Sequence, residues 1–259
     1  MRHGSLFSGI GGFDLAAEWM GWENLFHCEW NEFGQKILKY YWPNAKSYGD
    51  ITKTDFTIWR GRVDVLTGGF PCQDASVAKS IGEGQTGLEG ERTGLFWEMV
   101  RAIEEIRPKY VVAENVSNLL KVNHGRDFRT ILSEFSRMGY NAEWRVCRAS
   151  EVGATHHRAR LYLVAYPSRF RISENESFMA SLVSEIPQER RWAVGASSSV
   201  GISWSSEPEV CAMDDEFSGT LDGITVSKWR IESIKAAGNA IVPQVAYQIF
   251  KAIEQYEKN

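Results

Sequence analysis

Cysteine is scarce and badly placed for cross-linking: the 259 residues hold four, Cys28, Cys72, Cys147 and Cys211, each standing alone. That excludes a disulfide framework or a zinc site built from close cysteine pairs, so each thiol must be judged singly. Long apolar runs are missing as well. No stretch approaches the roughly 20 apolar residues that a bilayer requires, and MRHGSLFSG has no apolar segment behind a basic flank. The expectation is a soluble, intracellular protein with no membrane partner. Positive charge is not in excess: a formal net charge of −4 argues against a protein that coats nucleic acid by electrostatics alone. One local exception runs from Arg145 to Arg171, where six arginines meet a single acid, Glu151. Either a basic binding face or arginines along exposed strand edges would account for it.

What is present is alternation. Hydrophobic residues make up 43% and charged residues 24%, enough for one good-sized core and a smaller appended unit. Residues 4–7 read as a strand and 13–20 as a helix ending at Gly21. Next come a strand over 24–29, a helix over 32–42 stopped by Pro43, and a buried strand over 63–67. Leu95, Phe96, Met99, Val100, Ile103 and Ile106 recur at helical spacing up to Pro108, followed by a strand over 110–113. Ala142, Trp144 and Val146 alternate as in a strand, and 160–166 closes the series. Strands alternating with helices predict a doubly wound α/β sheet. From 167 to 233 the pattern fails in a Ser- and Glu-rich stretch containing GASSSVG, and it resumes at Pro243 with Val245, Ala246, Ile249, Phe250 and Ile253. This divides the chain into a unit of residues 1–166, completed by 234–259, and an inserted unit of 167–233. No internal repeat is seen.

LFSGIGGFD lies between the first strand and the first helix, where bare backbone can approach a ligand at the carboxyl end of the sheet. A pyrophosphate cradle is disfavoured, because Asp14 stands where the third glycine of Gly-x-Gly-x-x-Gly belongs. Glu29, ending the second strand, is placed for the two hydroxyls of a ribose, and Asp50 in YGDI for an adenine amino group. An adenosine-bearing ligand without a pyrophosphate suggests S-adenosylmethionine. A tight turn with a helix cap at Asp14 is the plainer alternative.

Cys72, in TGGFPCQDAS, follows the end of a strand and has polar neighbours, Gln73, Asp74 and Ser76, where a buried structural cysteine would have apolar ones. YVVAENVSNLL ends its apolar run in Glu114-Asn115, and HHRARLYLVA opens another with Arg158 and Arg160. A thiol, a carboxyl and guanidinium groups can thus converge over one sheet edge, although a structural ion pair would use the same residues. With FSGIGG, GFPCQ, AENV, HRARLY and AAGNAIVPQ in that order, the chain resembles the DNA cytosine methyltransferases that act on carbon 5, specifically the small phage and bacterial members. The resemblance covers residues 5–166 and 235–259.

That resemblance implies a Rossmann-like S-adenosylmethionine-dependent methyltransferase sheet, with S-adenosylhomocysteine as product and no metal. It implies methyl transfer to carbon 5 of cytosine in a short specific sequence of double-stranded DNA, by a monomer of the bacterial cytoplasm that is phage- or prophage-encoded in some cases and paired in some with a restriction endonuclease. Chemistry agrees. Carbon 5 is a poor nucleophile until a thiolate, here Cys72, adds to carbon 6. A protonated Glu114 would meet ring nitrogen 3, Arg160 the carbonyl oxygen of the base, and Arg158 the catalytic loop or a phosphate. The cofactor would lie against Phe7, Gly9, Ile10, Gly11, Gly12, Glu29, Trp30, Asp50, Ile51, Pro71, Leu95, Asn239 and Ala240. A stacked base hides both faces from a thiol, so the cytosine must be flipped out, and the Gly-rich residues 78–94 read as a lid.

Gln73, Ser76, Arg169, Arg171, Arg190 and Arg191 are the expected DNA contacts, the last four within a 167–233 target recognition region that carries more acids than bases. The family usually has Pro-Gln where this chain has Thr155-His156. His156 and His157 have no companions for a metal and read as solvated or DNA-facing. Two other readings are a tRNA cytosine-5 methyltransferase and a catalytically silent DNA-binding relative, the latter opposed by the intact Cys72, Glu114 and Arg160.

Overall fold

Each apolar run in the first two-thirds of the chain forms a strand, and nearly every connection between neighbouring parallel strands is a helix or tight helical turn. The computed structural model describes residues 1–71, 94–154, 156–170, 179, 220–221 and 224–258. Its strands are β1 (Arg2–Leu6), β2 (Glu23–Cys28), β3 (Lys46–Tyr48), β4 (Val65–Gly68), β5 (Tyr110–Val116), β6 (Tyr140–Arg148) and β7 (Ala159–Pro167), with a short hairpin of β8 (Thr220–Leu221) and β9 (Ile224–Thr225). The helices are α1 (Gly12–Trp19), α2 (Glu32–Tyr41), α3 (Gly94–Ile106), α4 (Arg126–Arg137), α5 (Val226–Asn239) and α6 (Pro243–Lys258). The first seven strands make one sheet in the order β3-β2-β1-β4-β5-β7-β6. Pairing is parallel from β3 to β5, whereas β7 runs antiparallel to both β5 and β6. The expected α/β fold is the one observed.

Local chemistry sets the boundaries. Asn31 caps α2 by accepting from the backbone N–H groups of Phe33 and Gly34 at 2.9 and 3.2 Å. Arg107, left-handed at φ 53°, and the Pro108 behind it end α3, while Pro243 opens α6 in the position that suits its fixed backbone. Alternate residues of β5 face opposite layers. Val111 and Ala113 join a core with Phe96, Met99 and Ile103 of α3 and Phe128, Ile131 and Phe135 of α4. Tyr110 and Val112 join the other, with Phe13, Ala16 and Ala17 of α1 and Val245, Ile249, Phe250 and Ile253 of α6. Burial on both faces explains why the central strands read as unbroken apolar runs.

Helix α5 begins inside the stretch that the sequence pattern left irregular. Its Trp229, Ile231 and Ile234 are each about half exposed, so they describe no buried stripe, and periodicity had nothing to detect.

Beneath the glycine turn lies a buried polar column. Ser5 donates to both oxygens of Asp14, at 2.9 and 3.1 Å, and shares a 2.6 Å hydrogen bond with Ser8. The amide of Asn24 donates to the Asp14 carbonyl, leaving its oxygen 2.6 Å from His3 Nδ1; the other ring nitrogen of His3 lies 2.9 Å from the Thr67 hydroxyl. Because Asn24 presents an oxygen, Nδ1 carries the proton and Nε2 accepts from Thr67. Burial holds His3 at about 4, hence neutral.

Gly11 adopts φ 85°, and a Cβ there would strike the Trp42 ring; Gly9 adopts φ 57° with open space around it. Both need left-handed backbone, but only Gly11 is also filled against. Thermal unfolding should therefore show Gly9→Ala costing about 1 kcal/mol and Gly11→Ala roughly 2–4 kcal/mol, because ring displacement adds to backbone strain. Equal losses would contradict this packing.

Candidate active site

The carboxyl ends of β1, β2, β4 and β5 open into a cleft of about 960 Å³, large enough for a nucleoside-bearing ligand and a base together. Phe7, Gly9, Ile10, Glu29, Trp30, Asp50, Ile51, Pro71, Leu95, Asn239 and Ala240 line it, together with Glu114, Arg158 and Arg160. Gly11 and Gly12, expected at the cofactor, lie off this lining. They face Trp42 and Ile241 instead, so their small size serves packing.

At the β1 end, Phe7 takes a left-handed φ of 51°, unusual for a bulky side chain, which turns the backbone toward the cleft. Glu29 accepts from the N–H groups of Gly9 at 2.7 Å and Asn31 at 2.8 Å. Its pKa is raised by burial, against those backbone hydrogen bonds. A carboxylate offers about four acceptor positions, so capacity for a ligand remains. Asp50 caps the turn at Ile51–Lys53, accepting from the Thr52 N–H at 3.0 Å and hydroxyl at 2.7 Å, which hold its pKa low. Gly34 admits nothing larger, because a Cβ would meet the Gly9 carbonyl at 2.5 Å. An open cleft with a half-buried carboxylate at one strand end and a second carboxylate at the next fits an adenosyl cofactor.

The chemistry of the β5 end follows from strand register. Glu114 pairs with Tyr162, and Val116 pairs with Arg160. Glu114 and Arg160 are therefore diagonal neighbours on one face, within reach of long side chains. Glu114 Oε1 lies 3.1 Å from Arg160 Nε; the contact is ionic, since Oε1 is buried without a hydrogen-bond partner. Burial pushes the Glu114 carboxyl up to about 7 against the pull of Arg160 and Arg158. Arg158 donates to the Gly238 carbonyl, tying β7 to the end of α5, while its buried Nε has no partner.

Asn115, on the opposite face, donates to the Phe70 carbonyl at 3.0 Å and fixes the chain one residue before Pro71. Sequence reasoning assigned it no role, although a buried amide closing a strand of apolar residues was the available signal. Cys72, Gln73, Ser76, Arg171, Arg190 and Arg191, the lid residues 78–93 and Thr155 lie outside the described residues. Arg169 is described but is not brought to this edge. Strand β7 starts there and ends at Pro167 beside Tyr140, eight residues or roughly 26 Å away, and beyond it the Arg169 guanidinium sits over the Phe170 ring. Among the described residues no group of three His, Cys, Asp or Glu could hold a metal, and no helix is long and apolar enough to cross a membrane.

Sheet order and edge cleft define the Rossmann-like methyltransferase architecture. The solved methyltransferase Dnmt2 of S. pombe superposes with a TM-score of 0.55 at 18% identity, covering 73% of this chain and 56% of that one. EhMeth of Entamoeba histolytica gives 0.54 at 18%, covering 67% and 55%. Residues 1–198 match the model of the C-5 cytosine-specific DNA methylases, and the chain belongs to that family. It is 37% identical over 175 residues to the Type II methyltransferase M.Sau3AI of Staphylococcus aureus, covering 62% of this chain and 42% of that protein. To M.HhaI of Haemophilus parahaemolyticus it is 32% identical over 166 residues, covering 64% and 49%. The chain thus spans less than half the length of these relatives.

A carboxyl whose folded pKa is raised binds its proton more tightly folded than unfolded, so its contribution to stability falls as pH rises from about 4.5 to about 7. Glu114→Gln should flatten that part of the urea-unfolding profile, removing roughly 1–3 kcal/mol of the loss between pH 5 and 8. Arg160→Ala should move the titration upward, because it deletes the cation that opposes burial. A carboxyl signal titrating near 4.5 in wild type would refute the environment described.

Proposed function

We propose that the protein transfers a methyl group from S-adenosylmethionine to carbon 5 of a cytosine flipped out of double-stranded DNA. The observation that carries this reading is the meeting, at one sheet edge, of the adenosyl-compatible cleft with buried Glu114, half-buried Arg160 and the Phe70-Pro71 backbone held by Asn115. The cofactor supplies an electrophilic methyl group on a sulfonium centre.

In this reading the Cys72 thiolate adds to carbon 6 of cytosine, and protonated Glu114 gives its proton to nitrogen 3. Arg160 donates to the carbonyl oxygen. The resulting enamine takes the methyl group through carbon 5; a base then removes the carbon 5 proton, the thiolate leaves carbon 6, and nitrogen 3 returns its proton to Glu114. A pKa of about 7 suits Glu114 to this task, since a large share of the molecules hold the proton near neutral pH. With that proton in place, two guanidinium groups stand over the cleft uncompensated, which favours a thiolate nearby. Glu29 takes the ribose hydroxyls and Asp50 the adenine amino group.

The substrate is a short fixed sequence read by residues of the 167–233 segment, with Arg190 and Arg191 pairing to guanine edges. A restriction endonuclease of the same specificity is the natural partner, because methylation would protect the shared site. Expression in a host lacking cytosine methylation, followed by genome-wide mapping of modified cytosines, tests the activity and reveals the site.

Cys72→Ser should lower methyl transfer by several orders of magnitude while cofactor affinity, measured by calorimetry, survives. Duplex DNA carrying fluorine at carbon 5 of the target should trap the wild-type protein covalently, since fluorine cannot leave as a proton does. Near wild-type turnover by the serine variant would overturn the mechanism. Glu29→Ala should weaken cofactor binding by about 1–3 kcal/mol, the scale of hydrogen bonds to a charged group.

A further inference from the structure

Arg101 projects from the middle of α3 and is engaged on every side, although it does not line the cleft. One terminal nitrogen donates to the Ile51 carbonyl at 2.6 Å; the other donates to the Thr54 carbonyl at 3.0 Å and to Glu105 at 2.7 Å. Its Nε donates to Glu98 at 2.8 Å, and the guanidinium stands 5.9 Å from the centre of the Phe56 ring. The second oxygen of Glu105 accepts from the Phe56 N–H at 2.8 Å. Two carbonyls, two carboxylates and a ring around one planar fork form a specific arrangement, which an ammonium cannot reproduce.

What this fork holds is the segment that carries Asp50. The turn is closed by the Thr54 hydroxyl on the Asp50 carbonyl at 2.7 Å and by Asp50 on Thr52. These local bonds shape the turn, but they do not anchor it to the rest of the molecule. Arg101 does, from below, at Ile51 and Thr54. Asp50, Ile51 and Thr52 line the cleft above, as does Leu95 of the same helix, six residues or roughly 9 Å before Arg101. One helix therefore touches the cleft directly at its start and sets the carboxylate-bearing turn from its middle.

We infer that Arg101 is a positioning residue for cofactor recognition: it fixes the Asp50 carboxylate where the exocyclic amino group of adenine is read. The inference rests on the cofactor assignment proposed above. Loss of Arg101 lets the turn shift, so the reaction proceeds normally once cofactor is bound, yet recognition of the purine edge fails. The effect falls on KM and on base selectivity rather than on kcat.

The test uses the full-length protein, with target DNA from the mapped site, and compares wild type with Arg101→Lys and Arg101→Gln. Expected results are a rise of about tenfold in KM for S-adenosylmethionine, with kcat within about twofold, the scale of losing hydrogen bonds from a charged donor. Competition by S-adenosylhomocysteine and its inosine counterpart, which has a keto group in place of the amino group, supplies the second readout. Wild type should prefer the adenosyl form, and the variants should lose most of that preference. Should both variants unfold, Glu105→Gln, which weakens the fork's hold while leaving Arg101 and the cleft lining in place, must produce the same loss of preference. Variants that keep wild-type selectivity, or lose kcat and KM together, overturn the inference. Failure of wild type to bind either S-adenosyl compound would instead overturn the cofactor assignment itself.

Discussion

One strand running the wrong way makes the site possible. Were β7 parallel to β5, its first residues would lie at the opposite edge, and Arg158 and Arg160 would stand about four to six residues from Glu114. Antiparallel pairing brings the start of β7 to the end of β5, and the register Val116↔Arg160 puts carboxyl and guanidinium on one face, one diagonal apart. Ladder hydrogen bonds along six paired positions enforce that register. A slip of one residue would turn Arg160 to the other face and bury it among the α3 and α4 side chains. The ion pair is thus a product of the sheet. It is not what holds the sheet together.

The pair also needs the surroundings that it gets. Tyr162 and the apolar layer beneath strip water from Glu114, which raises the carboxyl to about 7, while the two arginines keep it from rising further. Its nearest cation supplies attraction without an aligned hydrogen bond, so neither form of the carboxyl is locked. Gly69 contributes by being small, since a Cβ there would sit 3.2 Å from Glu114 Oε2.

Much of this was legible in the sequence. Apolar runs buried on both faces fixed strands β1, β2, β4, β5 and β7, and Glu114, Arg158 and Arg160 stood out as ionisable groups at the ends of such runs. The direction of β7 is not legible, because apolar periodicity carries no sign; Arg169, one of the expected DNA contacts, lies past the end of that strand away from the cleft. Gly11 and Gly12 were assigned to a ligand since a glycine looks the same whether a cofactor or the Trp42 ring fills the space. Asn115 and Arg101 escaped notice for a related reason. Each serves a backbone carbonyl distant in sequence, and a carbonyl leaves no mark on composition.

Those carbonyls show how three separate stretches of chain become one edge. Asn115 grips the carbonyl of Phe70, Arg158 that of Gly238, and Arg101 those of Ile51 and Thr54. In each case a side chain reaches across to capture a backbone carbonyl of another stretch that lines the cleft or leads into it. Loop backbone cannot satisfy its own polar groups as a helix or strand does, so a donor reaching out from the rigid sheet layer both satisfies the carbonyl and sets its place. The cleft is therefore rigid where it meets the sheet. Its precision depends on few side chains, of which Arg101 alone stands outside the cleft lining.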